Sequence, residues 1–147
     1  NCDAGQRAFA AARCVVCHRY GDDGGSTGPD LTQAGGRFQV KDMVEALVLP
    51  SKVVSDQYRG SVVTTTDGRS HAGRIVKDGA DSIVIVTDPE DSTKFVEIAR
   101  GDVDEIVAAK ESLMPKGLID GLNEEEVLDL LAYTLSRGNR NDGRFQK

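Results

Sequence analysis

The feature that most constrains this chain is the five-residue run Cys14, Val15, Val16, Cys17, His18. Two thiols three positions apart, with an imidazole directly after the second, gather three donors on one short turn. A zinc knuckle needs four thiolate or imidazole ligands, and only Cys2 and His71 remain, without metal-site spacing. A thioredoxin-like redox pair expects a strand before it and a βαβ setting, whereas residues 4–13, AGQRAFAAAR, are rich in strong helix formers. C-x-x-C-H is the pattern in which both thiols add to haem vinyl groups and the adjacent imidazole meets the iron. On this reading Cys14 and Cys17 hold one covalent haem c, and His18 is an axial ligand of its iron.

The rest of the chain supplies what would enclose such a group. The helix over residues 4–13 follows Asp3, which can cap its first turn. Residues 20–36 are dense in Gly, Asp, Ser, Thr and Pro and read as a loop, without regular structure, that can wrap a ligand. Val40, Met43, Val44, Leu47 and Val48 fall at helical spacing, with Pro50 as a stop. From Ser51 the character changes, and β-branched residues alternate with polar ones. Strands are expected over residues 58–66, 70–77, 82–87 and 93–98, with a weaker one over 103–107. Asp67 with Gly68, residues 78–81 and residues 88–91 provide the turns. Asn123 with Glu126 three residues on starts a final helix like a capping box, and Val127, Leu128, Leu131 and Leu135 make its apolar face.

At 147 residues the chain fits one compact domain. Its 24 Asp plus Glu against 18 Lys plus Arg disfavour binding to nucleic acid and favour a basic or mixed-charge partner. No apolar run approaches the ~20 residues a bilayer span needs. The start at Asn1 leads us to expect that an export signal or a preceding domain has been removed. Three cysteines cannot all pair within the chain; Cys2 lies near a terminus expected to fray, and no role is assigned to it.

The sixth position of the iron needs a ligand far in sequence from His18. Met114 is the candidate: it sits in a short loop before Pro115 and the last helix, and a neutral thioether favours ferrous iron. Met43 lies on a helix face, where packing is its role. His71 is a rival because imidazole binds iron readily, but its place just past the Asp67 and Gly68 turn reads as an exposed hairpin residue. Lys116 is a weaker rival, since its amine would first have to lose a proton.

These residues resemble the class I c-type cytochromes. Gly5, Phe9, Cys14, Cys17 and His18 are similar to that family's first helix and attachment site, and Gly28, Pro29, Asp30 and Leu31, ending in Gly36 and Arg37, to the loop after it. Leu113, Met114 and Pro115 resemble the methionine loop, and Leu131, Ala132 and Tyr133 the aromatic-bearing last helix, which crosses the first near Gly5 and Phe9. The resemblance implies that the Pro29 carbonyl accepts from the His18 ring, that Leu31 packs on the haem, and that Arg37 lies near a propionate. The strand region departs from the ordinary family pattern. A narrower resemblance, to the haem-binding domain type of planctomycetes and verrucomicrobia, covers nearly the whole chain, including LVLPSKVVSDQY and SLMP. Domains of that type often end a larger protein with a predicted sugar- or alcohol-dehydrogenase-like module.

The expected architecture is therefore a mainly α cytochrome c core, residues 1–54 and 109–137, with a small antiparallel β subdomain, residues 55–108, inserted in it, α+β overall. It forms one domain over residues 1–147, with a polar, frayed tail at 138–147. The expected function is one-electron transfer by a mono-haem carrier that is not itself an enzyme, through the haem edge exposed beside the attachment loop. Its partners would be redox proteins or a fused dehydrogenase domain. Covalent attachment implies the periplasm or another oxidising compartment outside the cytoplasm. A haem-based sensor or peroxidase-like protein with an open sixth position is the alternative, and a docking module built on the sheet is a third class. The carboxylate pairs Asp22 and Asp23, and Glu124 to Glu126, read as solvated charge.

Overall fold

In the computed structural model, which describes residues 1–146, Asn1 rather than Asp3 opens the first helix. Its side chain accepts from the Asp3 and Ala4 amides at 3.0 and 3.2 Å, so helix α1 (Cys2–Ala11) begins earlier than expected. Asp3 falls in the first turn, where negative charge suits the helix dipole, and pairs with Arg140 at 2.6 Å. The terminus is thus held in place, and Cys2 packs into the helical core beside the Gly138 carbonyl.

After α1 the chain turns at Arg13 with φ of 60° into the short helix α2 (Cys14–Cys17). The segment expected to lack regular structure contains a small antiparallel hairpin, β1 (Arg19–Tyr20) with β2 (Asp23–Gly24), and a 3-10 turn at Ala34–Gly36. Helix α3 (Val40–Val48) opens where the Gln39 amide donates to Asp42 Oδ2 at 2.9 Å. Its end falls just before Pro50, which has no amide hydrogen for a further turn.

Five strands follow: β3 (Ser61–Thr65), β4 (Ser70–Asp78), β5 (Ser82–Val86), β6 (Phe95–Ala99) and β7 (Val103–Ala108). They form one antiparallel sheet in the order β6-β5-β4-β3-β7. Gly68 takes a positive φ of 87° at the β3–β4 turn, a conformation that costs glycine little. The sheet starts and stops at one place: Ser61 pairs with Ala108, and the Ala109 amide donates to the Gly60 carbonyl at 2.8 Å.

The final helix, α4 (Glu124–Leu135), carries the expected capping box, Glu126 N to Asn123 Oδ1 at 3.0 Å and Asn123 N to Glu126 Oε2 at 2.8 Å. Its buried face includes the expected Leu131 and Leu135 but differs at Leu128. Leu128 is 59% exposed and Leu130 only 2%, because α4 meets α1 along Leu130 and Tyr133. The crossing is close: a Cβ on Gly5 would run into the Asp129 carbonyl and Tyr133 Cβ.

Two separate apolar clusters result. One joins Ala8, Phe9, Ala12, Cys14, Leu130 and Tyr133; the other, inside the sheet, joins Val63, Ile83, Ile85 and Ile98. The tail is not frayed throughout. Phe145 packs against the helical cluster, and a 3-10 turn at Gly143–Phe145 is capped by Asp142. Lys147, the last residue of the expected tail, lies outside the described residues.

Candidate functional site: the Cys14 to His18 segment

Helix α2 exists because three constraints meet on five residues. Arg13 in the left-handed region redirects the chain out of α1, the His18 amide closes the turn on the Cys14 carbonyl at 2.9 Å, and the Gly25 amide donates to Val15 O at 2.9 Å. Cys14 is buried and Cys17 half-buried, and neither forms a disulfide. Burial holds the Cys14 thiol protonated, its pKa pushed up to about 11.

The His18 ring is fixed by the following loop. Its Nδ1 lies 2.7 Å from the Pro29 carbonyl. A carbonyl can only accept, so in the neutral ring Nδ1 carries the proton and Nε2 keeps its lone pair. Burial lowers the His18 pKa, with the Pro29 bond acting in the opposite sense, and so favours that neutral ring. No described residue hydrogen-bonds Nε2. Gly28 runs so close beside the ring that a Cβ there would come within 2.9 Å of Cε1, and its amide donates to Cys17 O at 2.8 Å.

Tyr20, at the hairpin, ties this segment to α4. Its hydroxyl donates to Tyr133 O at 2.7 Å, and its ring packs on those of Phe9 and Tyr133, with centroids 5.3 and 4.8 Å away.

Of the residues singled out in the sequence, Cys14, Cys17, His18 and Pro29 stand together, and Leu31 packs against the cluster that contains Cys14. Arg37 is exposed at the end of the 3-10 turn and in no ion pair among the described residues. Met114 is half-buried in a loop fastened to the turn that follows α3: Ser112 N donates to Ser51 Oγ at 2.9 Å, and Met114 N to Ser112 Oγ at 3.1 Å. Its neighbour Leu113 lies over Gly60. His71 stands on β4 opposite Val63, lining a polar cleft with Asp67, Arg69 and Glu97. Lys116 is exposed.

Residues 2–60 match the family model for cytochrome c. The matched stretch holds α1, the Cys14 to His18 segment, the Pro29 loop and α3, and it ends one residue before the sheet begins. The cytochrome c match supports a c-type cytochrome that binds iron in covalent haem and carries electrons to and from redox protein partners. No curated protein matches the chain. Among the described residues no helix is long and apolar enough to cross a membrane.

The residues present fit a haem. Two unpaired thiols flank a turn and a neutral imidazole offers one free nitrogen. Nearby, α3 has no buried residue, and its apolar Val40, Val44 and Val48 are exposed while Leu47 reaches the cluster around Cys14. Sequence reasoning passed over several residues around Cys17, namely Arg13, Thr27, Arg74, Pro89 and Glu90. Pro89 engages Cys17 through a backbone carbonyl, which leaves no mark in side-chain identity.

Proposed function

We infer that the protein is a mono-haem, one-electron carrier in which Cys14 and Cys17 hold the haem, His18 is one axial ligand and Met114 the other. The observation that carries this reading is the His18 Nδ1 bond to Pro29 O inside the C-x-x-C-H segment: it presents a neutral imidazole with Nε2 free, the state iron requires. Bound haem iron would supply the ferric–ferrous couple. The chain's residues do the rest. The Pro29 carbonyl orients His18 and raises the basicity of its ring, and Leu31 gives apolar contact that keeps water away. Arg37, in no ion pair among the described residues, is free to face a propionate.

Met114 is preferred over His71 and Lys116 because its loop is half-buried and fastened to the turn that follows α3, whereas His71 belongs to the sheet. The division into a helical core, residues 1–54 and 109–137, and a β subdomain, residues 55–108, is supported by the two separate clusters. A location outside the cytoplasm follows from covalent attachment. Redox proteins, or a fused dehydrogenase domain, are the partners this reading favours.

The test is the absorption spectrum of the haem-loaded chain, oxidised and reduced, with the near-infrared band that reports sulfur on ferric haem. We expect sharp low-spin bands and that sulfur band, with both altered in Met114→Ala. A high-spin spectrum, or one indifferent to the substitution, removes Met114 from the iron and moves the sensor or peroxidase-like reading ahead.

A further inference from the structure

The loop between β5 and β6, residues 87–94, projects from the sheet onto the attachment segment. Cys17 Sγ lies 3.1 Å from the Pro89 carbonyl, and the Thr27 hydroxyl donates to that same carbonyl. Next to it, Arg13 Nη2 meets Glu90 Oε2 at 2.7 Å. From β4, Arg74 Nη1 donates to Thr27 O at 3.0 Å while its guanidinium stacks 4.7 Å above the Tyr58 ring. Three groups of the attachment side, Arg13, Cys17 and Thr27, are thus engaged by two pieces of the sheet.

The loop has the internal order a fixed cover needs. Thr87 N donates to Lys94 O at 3.0 Å, Glu90 N to Asp88 Oδ1 at 2.9 Å, and Thr93 N to Asp91 Oδ1 at 3.0 Å. Lys94 Nζ closes on Asp88 Oδ2 at 3.0 Å. Beneath it a cleft of about 220 Å³ is lined by Thr27, Arg74, Val76, Val86, Pro89 and Leu113. Leu113, the neighbour of Met114, brings the other end of the chain to the same cleft.

Cys17 is half-buried, with Pro89 O and Thr27 beside its Sγ, so one side of a group bonded to that sulfur faces the loop, by proximity alone, because a thioether has no proton to donate. We propose that residues 87–94, held by the Arg13–Glu90 pair and by Thr27, cover the Cys17 edge of the haem and determine which reagents exchange electrons with it. The proposal rests on the haem reading above and revises its route, because the edge beside the attachment loop is covered. Arg13, Thr27 and Glu90 are positioning residues: they touch the cover and not the reacting centre.

The test uses the full haem-loaded chain as wild type, Glu90→Lys, the charge-swapped Arg13→Glu/Glu90→Lys, and Thr27→Val. Ferric protein is mixed with two one-electron reductants of opposite charge, hexaammineruthenium(II) and the iron(II) chelate of EDTA. Each gives one electron, is oxidised to its +3 metal state and transfers no atom. Amide hydrogen exchange over residues 87–94 is followed in the same samples.

In Glu90→Lys and in Thr27→Val we expect both reductants to react about three- to fivefold faster, the change in loop opening that loss of one exposed contact produces. Exchange in the loop should rise with them, and the double swap should restore both. A mere change of surface charge would move the two rates in opposite directions with loop exchange unchanged, and that result overturns the proposal. So does faster loop exchange with neither rate altered, since the loop would then open without uncovering anything. Haem content is measured first, from a haem-stained denaturing gel. A chain that never retains haem there defeats the haem reading and this proposal together, whereas retained haem with unresponsive rates defeats the cover alone.

Discussion

His18 is held between a carbonyl that fixes its proton and a glycine that leaves it room, and both neighbours come from one loop. Gly28→Ala places a methyl group within 2.9 Å of the ring, so either the ring or the loop has to move. Overpacking of this kind costs about 1–3 kcal/mol. We expect Gly28→Ala to lower the urea midpoint accordingly and to shift the haem absorption bands, since the ring can no longer keep both Pro29 and the iron in line. An unchanged midpoint and spectrum would mean that the loop yields freely. At this scale the sequence was readable where chemistry resides in side-chain identity: two thiols and an imidazole at fixed spacing single out the segment proposed to hold the haem, and the structure brings Pro29 to it. It was unreadable where main-chain groups act, as at Pro89 O against Cys17, or where a residue adopts an unusual backbone angle, as Arg13 does with φ of 60°.

At the scale of elements, periodicity and turn chemistry served well in the sheet. The strands expected over 70–77 and 82–87 appear as Ser70–Asp78 and Ser82–Val86, because β-branched alternation between glycine- and aspartate-rich turns has few other solutions. The strand expected over 58–66 shrinks to Ser61–Thr65, since a 3-10 turn takes up Asp56–Tyr58. Helix ends were harder. Asp3 and Asn1 are both good caps, and the choice of Asn1 lets Asp3 reach Arg140 in the tail, a tertiary contact that no local pattern contains. The apolar face of α4 holds at Leu131 and Leu135 and departs from expectation at one position for the same reason: Leu128 and Leu130 are equally apolar, and only the crossing with α1 selects between them. The α4 cap is reciprocal and local, so Asn123→Ala should cost about 1 kcal/mol. Thermal unfolding followed by circular dichroism checks this, and a loss well under half that value would mean water replaces the cap.

Across the whole molecule, the helical and sheet clusters share no buried residue, and the contacts joining them near Cys17 include an ion pair between well exposed side chains. Removing bulk from one cluster should therefore weaken that cluster first. Ile83 is fully buried, and Ile83→Ala should cost about 2–5 kcal/mol. Amide exchange should accelerate in β3 to β6 well before it does in α1 and α4, while equal acceleration everywhere would show one cooperative unit. This division was only partly visible in the sequence, which marks where β-branched alternation begins but not that the strands bury their own centre.

The meeting of Gly60 and Ala109 has a consequence for how such a chain can change. Because the sheet leaves and rejoins the helical part through one hydrogen-bonded gap, the strands are a detour whose two mouths touch. A detour of that kind can lengthen, shorten or be exchanged for another without altering the span between the end of α3 and the loop that carries Met114. Chains built on this plan can therefore differ widely in what faces Cys17 without moving the loop that carries Met114.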